Sequence, residues 1–328
     1  MNSKQERFDF QGLDFVHKVG LELEAFSPEG TFRPNVPGAI WENDAGIDLC
    51  ELISMPHKNY HEAYKPLYNM LSKVDDIHLT AQRPMCLSHN QGKWQDKQRY
   101  KALRAGVKTE SPQHHQKIDV MTDWAALQDN VSGSFDPFGE EGVFLINMFN
   151  HIAPFHASRL HSEICIGKGH LAIWRKFARK ERFPVYHRWF PNSQSLRVYI
   201  ENIPKLFVKN RQGIFETPKT EKHQSIACPT DLGVMWWFAR PKRNEENETY
   251  LELRYKPSMP IREAEKSTGI SIRILELLLF WYHNQNNSKP VLSIREAEPA
   301  LAFLSQLIPE YVPKKPLSWR EWNQALRL

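Results

Sequence analysis

The chain has 328 residues, of which 41% are hydrophobic and 25% charged, and its formal net charge is +5. Those fractions are ordinary for a globular protein and exclude a disordered chain, a collagen-like chain and a disulfide scaffold. The mild positive balance suits anionic ligands such as nucleotides and does not by itself argue for nucleic acid.

In chain order, Lys18–Phe26 alternates apolar and acidic residues, the period of a strand with one buried face. Ile47–Ser54 repeats that pattern, and after Pro56 the stretch Tyr60–Val74 has amphipathic helical spacing. Ile77–Ser88 reads as a third strand, Gln98–Ala105 as a short helix and Met121–Val131 as strand-like. Glu140–Ile152 and Ala157–Cys165 carry helical periodicity, and Pro154 is expected to break between them. His170–Lys180 reads as a basic helix, Ser195–Phe207 as helix or strand, and the polar Lys209–Ala227 as a flexible lid. Gly233–Ala239 and Thr249–Tyr255 read as strands joined by a polar hairpin, Pro241–Glu248. Ile261–Asn284 is a long helix, and Ser293–Leu307 and Ser318–Leu328 are shorter ones.

No Pro/Gly/Ser-rich linker divides the chain. The expectation is one α+β domain over residues 1–328, helices against a mostly antiparallel sheet, with a helical C-terminal part from about residue 261. The longest apolar run, Ile274–Tyr282, is interrupted by Glu276 and falls far short of the ~20 residues of a membrane span. The polar N-terminus leads into no apolar segment, so no secretory signal is expected. Cys50, Cys86, Cys165 and Cys228 are scattered, which fits a reducing cytoplasm. Neither membrane nor nucleic acid is an expected partner, and the sequence is silent on oligomeric state.

The acids are the informative feature. Glu22 and Glu24 stand two apart on a strand and share a face, at about 6–7 Å. Glu51 and Glu252 are each set among apolar neighbours, and Arg254 shares a face with Glu252. Any one such glutamate is usually only the solvated face of a sheet. Four of them on three strands would converge if the strands share a sheet. Carboxylates that close need a counter-charge, and Mg²⁺, a hard cation that binds oxygen ligands together with phosphates, supplies one. No Gly-x-Ser-x-Gly or Walker-type glycine loop occurs, so a nucleotide site would be metal-centred.

Other signals are weaker. His114 and His115 read as a surface turn. His151, His156 and His161, spaced by five, do not share one helix face and read as capping, core or pocket residues. Trp236 and Trp237 read as core. In the basic stretch Lys168–Arg182, Arg175 is the preferred contact for a carboxylate or phosphate, with Arg188 second.

Five stretches together resemble the glutamate–cysteine ligase family: Gly20–Phe26 (Gly-Leu-Glu-Leu-Glu-Ala-Phe), Cys50-Glu51-Leu52 with Ser54 and Pro56, Arg99-Tyr100 with Leu103 and Arg104, Ala126–Val131, and Trp236–Arg240 followed by Thr249–Arg254. The resemblance implies a glutamine-synthetase-like curved, mostly antiparallel sheet binding ATP and two or three Mg²⁺ (or Mn²⁺). It implies phosphorylation of the γ-carboxylate of glutamate and attack of an amine on the acyl phosphate. Carried over by position, Glu22, Glu24, Glu51, Gln128, Glu252 and Asp44 would be metal ligands. Arg254 would hold the transferring phosphate, with Glu24 the second catalytic residue and Arg240 a further nucleotide contact. Arg99, Asn130, Arg175 and Arg188 would face amino acid and amine substrates. Where the family carries Asn-Ser-Pro-Phe, this chain reads His161-Ser162-Glu163-Ile164, which leaves the amine acceptor open, cysteine included. A non-catalytic relative that binds nucleotide or metabolite, and an amino or guanidino phosphotransferase on the same fold, remain alternatives.

Overall fold

A computed structural model describes residues 13–110, 112, 115–161, 180–203, 205, 206, 208, 209, 212, 214–216, 235–244, 246–285, 291 and 293–326. Among these residues the strands are β1 (Val16–Phe26), β2 (Ala39–Asn43), β3 (Leu49–His57), β4 (Ala126–Gly133), β5 (Val208–Lys209), β6 (Phe215–Glu216), β7 (Ala239–Arg243) and β8 (Thr249–Pro257). The helices are α1 (Tyr60–Leu71), α2 (Gln98–Glu110), α3 (Glu140–His161), α4 (Ser193–Glu201), α5 (Ile261–Gln285), α6 (Glu298–Leu307) and α7 (Trp319–Ala325), with 3-10 turns at Met85–Asn90, His115–Thr122 and Lys180–Arg182. The expected α+β architecture is present: six strands pair antiparallel in the order β2-β3-β1-β4-β8-β7, flanked by helices. No helix among the described residues is long and apolar enough to cross a membrane.

Strand alternation sorts the side chains onto two faces. Leu21, Leu23, Ala25, Cys50, Leu52 and Leu127 pack with Ala63, Tyr64, Leu67 and Met70 of α1. Val131, Leu251, Leu253 and Tyr255 pack with α3, α5, α6 and α7. The opposite face carries the acids. A third cluster closes over it: Tyr100, Leu103 and Val107 of α2 meet Ile118, Phe183, Leu206 and Trp236. Gly106 makes this close approach possible, because a Cβ there would lie 2.0 Å from the Leu206 carbonyl oxygen.

Several expectations are corrected. Ile77–Ser88 is not a strand; its alternation is met by isolated bridges, His78 to Phe26 and Gln82 to Trp124, before the 3-10 turn. β4 begins only at Ala126, after a 3-10 turn, rather than at Met121. Pro154 does not break α3, whose Asn150 carbonyl lacks the proline N–H but accepts from Trp322 Nε1 at 2.8 Å. The strand expected at Gly233–Ala239 lies later, as β7, and Pro241 is tolerated because β7 is an edge strand. β2, unread in the sequence, forms the other edge. The basic helix up to residue 179, most of the proposed lid, His114, Cys165 and Cys228 lie outside the described residues.

Candidate active site

The strand registers lay the polar face out in cross-strand rows. Glu42 of β2, Glu51 of β3 and Glu24 of β1 form one row. Ile40, Ile53, Glu22 and Gln128 form the next. Gly20, Asn130, Glu252 and Arg240 form a third. The face thus runs from acidic at β3 and β1 to basic at β8 and β7. A pocket of about 220 Å³ sits over it, with Glu22, Glu24, Asp44, Glu51, Gln128, Arg240, Lys242 and Arg254 in its lining. Arg99, Tyr100 and Leu103 of α2, with Met121, Trp124 and Trp236, complete the lining.

The acidic half is held by donors. Glu24 accepts from the Ala126 amide at 2.7 Å and from Gln128 Nε2 at 2.9 Å. Its backbone carbonyl accepts from Ser258 Oγ at 2.5 Å. Glu22 accepts from Asn130 Nδ2 at 2.8 Å. Asp44 accepts from the Tyr100 hydroxyl at 2.8 Å. Burial, then the charge of Asp44, pushes the Glu24 carboxyl well above its usual range, against the pull of Arg254. Burial, then Glu22, Asp44 and Glu24, does the same to Glu51. Burial also raises Asp44, with the Tyr100 hydroxyl opposing.

The basic half is organised around Glu252, which is fully buried. It accepts from Arg240 Nε, from Lys242 Nζ at 2.9 Å and from Arg254 Nη1 at 3.1 Å. Burial alone would raise this carboxyl, but the three cations carry it well below the usual range. Arg254 also donates to Gln128 Oε1 at 2.8 Å, which ties the two halves together. One carboxylate among three cations leaves positive charge facing the pocket, an arrangement suited to an anion.

A second ion cluster fixes the pocket wall. Arg83 donates to Asp48, to Asp123 Oδ1 at 3.0 Å and to the Thr122 carbonyl at 2.5 Å, its guanidinium over the Phe26 ring. It joins the β2–β3 turn, four residues from Asp44, to the segment that carries Met121 and Trp124.

The donor set fits a hard divalent cation, since crowded oxygens lose their repulsion when one binds. Among the described residues no three His, Cys, Asp or Glu side chains already form a metal-holding group. Mg²⁺ is compatible with that geometry, because it commonly takes one or two carboxylates and fills its shell with phosphates and water.

Of the residues singled out in the sequence, Glu22, Glu24, Asp44, Glu51, Arg99, Gln128, Arg240 and Arg254 meet in this pocket, with Glu252 beneath the cations and Asn130 beside Glu22. Arg188 does not join them. It donates to the carbonyls of Phe183 and Lys180, and its guanidinium lies 5.0 Å from the rings of both Tyr199 and Trp237. Arg175, and the side chain of His161, lie outside the described residues. Trp237 is core as expected, whereas Trp236, stacked on Phe183, also lines the pocket. Lys242 was missed because Pro241 disguised an edge strand as a hairpin, although Arg240 and Lys242 two apart carry the strand period. His156 is a core residue bonded to the Tyr255 hydroxyl at 2.8 Å.

No protein-family model matches the chain, and no curated protein matches it. A glutamate–cysteine ligase from Francisella tularensis, solved in complex with AMP, is 11% identical with a TM-score of 0.46, over 95% of this chain and 81% of that one. A bifunctional glutathione synthetase from Pasteurella multocida is 11% identical with a TM-score of 0.44, over 95% of this chain and 47% of that one. Likenesses this distant say nothing about chemistry, which rests on the site residues.

Proposed function

We propose that the chain is an ATP- and Mg²⁺-dependent carboxylate–amine ligase, with the γ-carboxylate of glutamate as the first donor to test. One observation carries the reading: carboxylates of β1, β3 and the β2–β3 turn and cations of β7 and β8 line a single pocket. The stretches that resemble glutamate–cysteine ligases fall on β1, β3, α2, β4 and β7–β8. The whole chain, 1–328, would act as one catalytic unit on small metabolites in the cytoplasm.

In this reading Glu22, Glu24, Asp44 and Glu51, with Gln128, would hold Mg²⁺, which would supply neutralisation of phosphate charge. Glu252, locked among cations, acts through Arg240, Lys242 and Arg254, which face the phosphates. Arg254 donates to Gln128, which links the cationic and acidic halves of the site. Arg99 reaches the donor carboxylate. The donor oxygen attacks the γ-phosphorus and ADP leaves. The amine then attacks the acyl carbon, the C–N bond forms as the acyl C–O bond breaks, and inorganic phosphate departs with the proton the amine sheds. No protein nucleophile is needed. The pocket, about 220 Å³, would take the phosphates and the reacting carboxylate, with the rest of the nucleotide outside it.

The test is turnover. Purified protein with ATP, Mg²⁺, glutamate and an amine panel is expected to give ADP and a product of amide mass. Glu24→Gln is expected to lose about 10²-fold or more. Unchanged activity in that variant would reject the site, and a phosphorylated product without an amide would replace the ligase with a phosphotransferase.

A further inference from the structure

Beyond Glu22 the polar face changes character. Ile40 of β2 lies opposite Ile53 of β3, and Ile53 lies opposite Glu22. Met55 follows at the irregularity where β3 sets two residues, Met55 and Pro56, opposite Gly20. Ile40 is 39% exposed and Met55 47% exposed, and Ile53 is half-buried. Among the described residues these apolar side chains join no core cluster. Ile40 and Ile53 continue the row that carries Glu22 and Gln128, and Met55 lies one step further along β3.

Beside them stands Gly20, which brings no side chain to the face. Gly20 stands opposite Asn130, and a Cβ placed there would meet nothing nearer than the Ser54 carbonyl oxygen at 3.6 Å. The Asn130 and Pro56 side chains lie at 3.8 Å. Asn130 donates an amide N–H to Glu22, while its Oδ1, a buried acceptor, has no partner among the described residues. The charged groups around it are Glu22, Lys18, which is paired with Glu248 on the exposed rim at 3.5 Å, and, across Asn130, Glu252 bonded to Arg240. A carboxylate and an unpartnered acceptor at the foot of an apolar shelf favour a ligand with a donor-rich head and an apolar tail.

We propose that this shelf is the subsite of the amine acceptor, and that the acceptor is a primary amine on an apolar aliphatic skeleton. The proposal rests on the ligase reading. The amine head lies toward Glu22 and Asn130, and the tail lies over Gly20 against Ile53, Met55 and Ile40. Rows stand about 7 Å apart along the strands, so a head at Glu22 is within one row of the reacting end at Glu24.

The test reads binding and turnover separately. Methionine methyl groups are labelled with carbon-13, and the Met55 signal is assigned with Met55→Leu. Isoamylamine is expected to shift that signal saturably, and binding across straight-chain amines should tighten up to about fourfold per methylene. Aspartate should leave the signal in place. Gly20→Ala should weaken isoamylamine at least fivefold without changing the melting temperature, since its Cβ meets only ordinary contacts. ADP formed with an amine that leaves Met55 unmoved would overturn the subsite and spare the ligase reading. A saturable Met55 shift without ADP formation would keep the amine site and sink the ligase reading. Tighter binding of aspartate, or a Met55 shift that follows protein concentration instead of amine, would overturn the proposal.

Discussion

The Lys256 ammonium rests against the Asp129 carboxylate, both sealed from solvent, on the face of the sheet opposite the acidic pocket. Thr268 of α5 donates to the other carboxylate oxygen at 2.7 Å, and the Tyr64 hydroxyl of α1 lies 3.0 Å from Thr268. The pair sits at a bulge: Leu127 faces Lys256 but Asp129 faces Leu253, so β8 holds one extra residue. The bulge turns Tyr255 and Lys256 to the helices while Arg254 faces the pocket. Breaking such a pair strands a buried charge, so Asp129→Asn is expected to cost about 3–5 kcal/mol in denaturant unfolding. The double variant Asp129→Leu with Lys256→Met is expected to recover most of that loss. If ion pairing also fixes the bulge, the double variant folds and binds Mg–ATP more weakly than the wild type.

Glu51 sets stability against function. Burial and its neighbours Glu22, Asp44 and Glu24 penalise its charge when no cation is bound. Glu51→Gln is expected to raise the metal-free melting temperature by about 2–4 °C, the equivalent of roughly 1 kcal/mol. The same variant should gain less from added Mg²⁺ and ATP than the wild type. A lower metal-free melting temperature would show that the carboxylates do not repel one another.

Acid stability follows from two histidines. Burial holds His151 down to about 4 and His156 to about 3. Both folded values lie below the unfolded value of about 6.5, so the unfolded chain binds more protons between them. Stability is therefore full above about pH 6.5 and falls as pH drops, by up to about 1.4 kcal/mol per pH unit for each histidine. The raised carboxyls of the pocket act in the opposite sense and are common to wild type and variant. The difference between the stability curves of wild type and His156→Gln isolates one histidine, and the variant's acid slope should be shallower by about that amount.

Trp322 is expected to behave as the missing amide of α3. Its indole N–H satisfies the Asn150 carbonyl that Pro154 leaves open. Trp322→Phe should cost about 2–4 kcal/mol, through an unpaired carbonyl and lost packing. In a Pro154→Ala background the restored backbone N–H should reduce that loss by about 1 kcal/mol. A double-mutant cycle of denaturation midpoints measures the difference.

The same contact shows where sequence reading stops. Pro154 read as a break because its remedy comes from a tryptophan 168 positions away. Local alternation was enough for β1, β3 and β8, and therefore for Glu22, Glu24, Glu51, Glu252 and Arg254. β2 escaped because it is only five residues long and enters after Gly38 at φ 82°. Alternation in Ile77–Ser88 misled because that segment makes only isolated bridges, while Arg83 reaches Asp48 and Asp123. Those partners lie 35 and 40 positions away, beyond any local period.

The most direct test of the account is calorimetric titration of ATP, with and without Mg²⁺, into the wild type, Glu24→Gln and Arg254→Met. The pocket requires saturable binding that depends on Mg²⁺ and is weakened at least tenfold in both variants, one from each half of the site. Wild-type protein that takes up no ATP in the presence of Mg²⁺, or variants that bind it as tightly as wild type, would contradict it.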